Sequence, residues 1–196
     1  MRILAFVDVH GSMNALETIS QKAGAADILL CAGDISRFET NLDKLLRQLD
    51  SFGKLVFIVP GNHEEPGVLE KQCSRLKNVF FLHKKAEIVD GVLFLGFGSG
   101  GFEQSNREME AFFGEELVKP LKASKVVFLT HAPPYKTQLD RLDRKHVGNN
   151  SLKNLILKFR PAVVVCGHFH ENWGKQEWVS GCLVVNPGPS GRILEL

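Results

Sequence analysis

The run Leu55-Val56-Phe57-Ile58-Val59 is apolar at every position, rich in β-branched residues, too short for a stable helix and closed by Pro60-Gly61. Those properties read as a buried strand that delivers a sharp turn. Similar runs end at Asp8, at Gly33-Asp34, at His131 and at Gly167-His168, and the first of them are separated by helix-period segments. Strand, helix and strand in alternation argue for right-handed βαβ units and a mostly parallel sheet. In such sheets ligands bind beyond the carboxyl ends of the strands. The polar residues that end each run are therefore where chemistry is expected.

Taken in order, Arg2 to Val7 reads as the first strand, and Ser12 as the N-cap of a helix reaching about Gly24. Asp27 to Ala32 is the second strand. Thr40 or Asn41 is positioned to cap a helix with Leu42, Leu45, Leu46 and Leu49 on one face. After the third strand, Pro66 to about Leu76 is a short helix. Val79–Leu82, Ala86–Val89 and Val92–Phe97 are strands, the last two joined by Asp90-Gly91, a type I′ hairpin signal. Gly96 to Gly101 is a glycine-rich loop, and Asn106 to about Leu117 an acidic helix. Lys125 to Thr130 is a strand, Tyr135 to Gly148 a polar basic stretch without period, and Asn149 to Phe159 a helix. Ala162–Cys166, Lys175–Val179, Cys182–Val185 and Arg192–Leu196 are the closing strands. At 196 residues, without a linker, repeat or low-complexity segment, residues 1–196 read as one domain with a sizeable core.

The net charge is +2 and no block of like charge stands out, which argues against bulk nucleic-acid or membrane attraction. No signal-peptide layout and no membrane-length apolar run are expected. Cys31, Cys73, Cys166 and Cys182 form no Cys-x-x-Cys pair and read as buried reduced thiols of a cytoplasmic protein.

Five of the seven histidines, His10, His63, His131, His168 and His170, sit at strand ends beside Asp8, Asp34 and Asn62. In Asp8-x-His10 and His168-x-His170 an extended backbone would send both side chains to one face. Carboxylate, imidazole and amide donors without thiolate favour manganese, iron, zinc, cobalt or nickel over a calcium cage. The donors outnumber what one ion needs, and two ions sharing a carboxylate would use them all.

Asp8-Val9-His10, Gly33-Asp34, Gly61-Asn62-His63-Glu64, His131 and Gly167-His168-Phe169-His170 resemble, in that order, the motif blocks of the calcineurin-like metallophosphoesterase superfamily. The resemblance implies an α/β fold, a four-layer αββα sandwich of two mixed sheets flanked by helices. It implies two divalent metal ions, manganese first, with iron, zinc, nickel, cobalt or magnesium as alternatives. Asp8, His10 and His170 would hold one ion, Asn62, His131 and His168 the other, and Asp34 would bridge them. The metals would carry an attacking hydroxide, and His63 would protonate the leaving oxygen. Thr130 to Pro134, Leu139-Asp140, His146-Val147-Gly148 and Cys166 to Glu171 look like the Icc-like or MPPED-related predicted phosphoesterases, which suggests a phosphodiesterase acting on a small phosphodiester or cyclic nucleotide.

Rival readings are a protein phosphatase, a nuclease and a catalytically weak scaffold. The Gly-Asp-x-x-Asp-Arg-Gly extension of protein phosphatases is absent, since Gly33-Asp34 continues as Ile35-Ser36-Arg37-Phe38. Every motif residue is present, which counts against a scaffold. A homodimer through an edge strand is compatible with the pattern. Lys136, Arg141, Arg144, Lys145 and His146 form either a basic rim for substrate or a solvated loop. Gly98 to Phe102 is a candidate cleft wall, with Phe102 able to stack on a base or aryl group. Glu64 is expected to support its turn rather than bind metal, Trp173 and Trp178 to pack, and His83 to be non-catalytic.

Overall fold

The computed structural model describes residues 1–98, 100–119 and 123–196. Its elements run β1 (Arg2–Phe6), α1 (Met13–Ala23), β2 (Ile28–Cys31), α2 (Leu42–Asp50), β3 (Leu55–Ile58), α3 (Pro66–Cys73), β4 (Val79–Phe81), β5 (Lys85–Val89) and β6 (Val92–Phe97). They continue with α4 (Arg107–Val118), β7 (Lys125–Thr130), β8 (Arg141–Leu142), β9 (Lys145–His146), α5 (Asn150–Phe159), β10 (Val163–Val165), β11 (Gln176–Val179), β12 (Cys182–Val185) and β13 (Arg192–Glu195).

One sheet has the order β13-β1-β2-β3-β4 and the other β11-β12-β10-β7-β6-β5. The inner strands are parallel; β13, β11 and β5 run antiparallel at three of the four edges. In the first sheet Phe6 lies opposite Cys31, and Cys31 opposite Ile58. In the second, Leu129 pairs with Val165 and Val165 with Val185. The strands of each sheet thus end level, and the loops that follow them rise side by side.

The layering follows from strand alternation. Leu4, Phe6, Leu29 and Ile58 face Leu16, Ile19, Leu45 and Leu49 of α1 and α2. Their neighbours Ile3, Ala5, Leu30 and Phe57 point the other way, onto Phe94, Val127, Leu129 and Val165 of the second sheet. That sheet turns Leu95, Phe128 and Val164 outward, onto Phe113 of α4 and Leu152 and Ile156 of α5. Helix, sheet, sheet and helix layers result, as the resemblance implied. Each leucine, isoleucine, valine or phenylalanine among them, taken fully from water, contributes ~1.5–3 kcal/mol. The inner strands have two buried faces, so they read as continuous apolar runs.

Local signals account for several boundaries. Ser12 caps α1 by accepting the Ala15 N–H (3.3 Å), and Asn149 caps α5 by accepting that of Leu152 (2.9 Å). Asp90 and Gly91 both have positive φ, as a type I′ turn requires. Asn41 stands at the N-cap of α2 but makes no capping bond, because its own backbone is left-handed. The basic stretch after β7 contains the small β8–β9 hairpin, which has no periodicity long enough to be read from sequence. All four cysteines are free and buried. Among the described residues no helix is long and apolar enough to cross a membrane.

His83 has a structural task. Its Nδ1 accepts the Gly98 N–H (2.9 Å), anchoring the start of the glycine-rich loop. Burial, with help from Lys84, lowers its pKa from 6.5 to about 4. As pH falls below 6.5 the unfolded chain binds a proton that the folded chain refuses until about pH 4. Stability is therefore lost on acidification across that window, by up to ~3 kcal/mol. In urea titrations between pH 7 and 4, wild type should lose stability faster than His83→Asn, which keeps an acceptor but cannot titrate. Parallel curves would contradict this.

Candidate metal centre

Asp8 and His10 come from the loop after β1, Asp34 from that after β2, and Asn62 and His63 from that after β3. His131 follows β7, and His168 and His170 follow β10. Both sheets contribute, and the level strand ends bring all eight side chains into one region. They are not presented by extended backbone, as the alternating motifs suggested. Asp8, His10, Asp34 and His168 have φ of 55°, 47°, 52° and 71°. Each left-handed non-glycine residue costs roughly 1–2 kcal/mol. The chain turns back two to three residues after leaving the strand, and this turning, not the pleat, makes the side chains converge.

Loop-to-loop bonds hold these turns. The Asp8 N–H donates to Gly33 O (3.1 Å) and the His10 N–H to Asp34 O (2.9 Å). Glu64 is buried, and its carboxylate accepts the N–H groups of Asp34 (2.9 Å), Gly61 (3.1 Å) and Ser36 (2.9 Å) and the Ser36 hydroxyl (2.8 Å). It supports the turn, as expected from sequence, and also ties the β2 and β3 loops together. Gly61 has to be glycine because a Cβ there would overlap the Asp34 carboxylate.

Asp34 is the hub. Its Oδ1 accepts the His63 N–H (3.0 Å), and its Oδ2 lies 3.4 Å from His131 Nε2, 3.8 Å from His10 Nε2 and 4.0 Å from His63 Nε2. Burial opposes its charge, but the contacts with His131 and with the His63 N–H and ring together outweigh burial and bring its pKa to about 2. Burial likewise disfavours a charged His131, yet the Asp34 carboxylate raises it to about 9.

Two imidazoles are held in one tautomer by backbone. His131 Nδ1–H donates to Ala32 O (2.8 Å) and His10 Nδ1–H to Ser36 O (3.3 Å), which leaves both Nε2 atoms facing the cluster. His10 Nε2 and His170 Nε2 stand 3.1 Å apart. Asn62 Oδ1 lies 3.1 Å from His131 Nε2 and 2.9 Å from His168 Nδ1. His63 Nδ1 and His168 Nε2 are buried without a partner among the described residues. Asp8 with His10 and His170, and Asp8 with Asp34 and His131, each offer donor atoms within 4.8 Å of one another, as do His10, Asp34 and His63. Nitrogens and carboxylate oxygens crowded this closely fit divalent cations better than they fit each other.

Two neighbours were not anticipated. Trp173 Nε1–H donates to Asp8 Oδ2 (2.9 Å), and its ring lies over that of His170 (4.6 Å between centroids). It therefore orients two of the clustered side chains, where sequence suggested only packing. Phe38 lies against His63 with ring centroids 4.2 Å apart. Neither has a signal in spacing; only the Trp173 position, three residues past His170, hints at it. Phe102 contacts His168 (4.7 Å) and Phe169 (5.7 Å), so the Gly98–Phe102 loop does flank the site; Ser99 lies outside the described residues. The β8–β9 hairpin lies beside the His170 turn, because Asn172 Nδ2 donates to Leu139 O and Arg141 O. His146 pairs with buried Asp140 (2.6 Å), and Lys136, Arg141, Arg144 and Lys145 are exposed.

Glu64→Gln turns one buried acceptor into a donor that faces N–H groups. We expect a loss of about 2 kcal/mol or more of stability. Thermal unfolding checks this, and an unchanged midpoint would remove the tie.

Comparison with known proteins places this geometry. The family model described as calcineurin-like phosphoesterase matches residues 1–172. An uncharacterized protein of Methanocaldococcus jannaschii, MJ1162, is 29% identical over 205 residues, covering 99% of this chain and 91% of the relative. The structure of TT1561 of Thermus thermophilus superposes with a TM-score of 0.75 at 20% identity, covering 95% of this chain and 88% of that one. A dimetal phosphatase from Danio rerio superposes with a TM-score of 0.69 at 12% identity, covering 94% and 86%. The match to the family model extends from the first strand through the turn that carries His168 and His170, and the chain belongs to the calcineurin-like phosphoesterase family.

Proposed function

We propose that the protein is a binuclear-metal-dependent phosphodiesterase that hydrolyses a small phosphodiester or cyclic nucleotide. Asp8, His10 and His170 would hold one divalent ion, Asn62, His131 and His168 would hold the second, and Asp34 would serve both. Manganese is the first metal to try. The observation that carries this reading is the Asp34 carboxylate, buried and within 4.0 Å of three imidazoles drawn from three separate loops. The two-ion count rests on the number of donors and on the family pattern.

When bound, two divalent ions supply positive charge to the phosphoryl oxygens and lower the pKa of a water toward ~7. The protein's own residues supply the rest. Asp34 and Asp8 set the charge of the centre. The backbone bonds of His10 and His131 keep their Nε2 lone pairs directed inward. Trp173 steadies Asp8 and His170. His63 belongs to neither ligand set. Its ring stands beside His10 (4.8 Å between centroids), and its role in this reading is to give a proton to the departing ester oxygen.

On chelated protein reloaded with Mn, Ni, Zn or Mg, bis-p-nitrophenyl phosphate should be cleaved faster than p-nitrophenyl phosphate. No release without metal is expected. Preference for the monoester would overturn the diesterase reading.

His63→Ala should keep its metal and lose ~10²-fold or more in turnover of a 2′,3′-cyclic nucleotide, whose leaving alkoxide needs a proton. The loss should be far smaller with nitrophenolate, which leaves unaided. Equal losses on both substrates would remove the acid role.

A further inference from the structure

Three clefts reach the candidate centre: one, of about 340 Å³, touches it at His10 and is lined by Arg37 and Lys44, and the other two share only Asn62 and Glu64. One of these two, of about 380 Å³, is lined by Phe38, Glu39, Asn62, His63, Glu64 and Glu65. The other, of about 440 Å³, has Gly61, Gly100, Gly101, Phe102 and His168 around the shared pair. Each has one large apolar wall, and each wall is turned to solvent. Phe38 is 77% exposed and Phe102 66% exposed, although each ring touches a histidine of the centre. Among the described residues no lysine or arginine lines either of these two clefts.

Phe38 is also held there against local preference. It and Glu39 have φ of 47° and 62°, an unfavourable pair for residues with a Cβ. Three bonds maintain the turn: the Glu39 N–H donates to Ser36 Oγ (3.2 Å), the Thr40 N–H to Arg37 O (3.0 Å), and the Glu65 N–H to Glu39 Oε1 (2.9 Å). Ser36 is itself bonded to Glu64, so the turn that presents Phe38 is fixed to the same carboxylate that fixes Asp34.

A phosphate held at Asn62, which lines both of these clefts, would have both within reach. In the two clefts that share Asn62, a limb bearing a further phosphate would meet carboxylates and rings and no lysine or arginine. A flat uncharged limb would find an aromatic face in each. Building on the phosphodiesterase reading, and narrowing it to open-chain rather than cyclic diesters, we propose that the substrate is a phosphodiester with a planar, uncharged group on each ester oxygen. Phe38 receives the limb that leaves, because its ring lies against the proposed proton donor His63. Phe102 receives the limb that is retained.

The test has a binding arm and a kinetic arm, both on manganese-loaded protein. By calorimetry, diphenyl phosphate should bind ~10-fold or more tightly than dimethyl phosphate, and Phe38→Ala and Phe102→Ala should each remove ~3–10-fold of that preference. In turnover of methyl p-nitrophenyl phosphate the aryl limb has to leave. Phe38→Ala should raise KM for this substrate and for bis-p-nitrophenyl phosphate alike. Phe102→Ala should raise it several-fold more for the bis-aryl diester. Equal affinity for the two phosphates, or variants that keep the full preference, would overturn the two-limb site. Exchanged KM patterns would overturn the assignment of limbs. Preferential binding of diphenyl phosphate without nitrophenolate release under any metal would uphold the two limbs and remove the hydrolytic reading instead.

Discussion

The buried carboxylate of Glu64 is the interaction on which the site depends. It gathers three backbone N–H groups and a hydroxyl from the loops after β2 and β3, which have no regular hydrogen-bonding partners of their own. A buried charge is costly unless its lone pairs are used, and here four donors use them. The burial that raises the Glu64 pKa also makes each of those bonds stronger. With these loops fixed, Asp34 is held in a left-handed turn, Gly61 can pass close to it, and Asn62 and His63 follow.

The fold was legible because the inner strands are apolar on both faces. Leu55 to Val59 and Lys125 to Thr130 announce themselves as continuous runs, and α2 does so through its leucine stripe. Two sheets rather than one were not legible from periodicity. Which face of a strand meets helices and which meets the other sheet is decided by long-range packing, and Ile3 and Leu4 look alike in sequence while facing different layers. The β8–β9 hairpin escaped because two-residue strands carry no period. Asn41 takes the N-cap position without a side-chain bond, and its left-handed backbone differs from the extended N-cap backbone of Ser12 and Asn149.

The candidate centre was legible as a set of residue types and spacings, and the structure brings the same eight side chains together. Its backbone was not legible. An Asp-x-His pair is compatible with a strand, and nothing in the letters says that Asp8 and His10 both adopt positive φ. Nor does sequence show Trp173 reaching back to Asp8 across 165 residues, or Phe38 lying on His63. These are contacts between elements distant in the chain, fixed only when both sheets are in place.

The division of donors between the sheets has a mechanical consequence. Asp8, His10, Asp34 and Asn62 ride on the first sheet, and His131, His168 and His170 on the second. The interval between the two groups is set by the side chains sandwiched between the sheets, such as Phe57 against Phe94 at 5.4 Å. That interior layer acts as a spacer gauge for the centre. Because packed interiors transmit volume changes rather than absorb them, altering its thickness shifts one half of the clustered side chains against the other, at a distance from any residue of the centre.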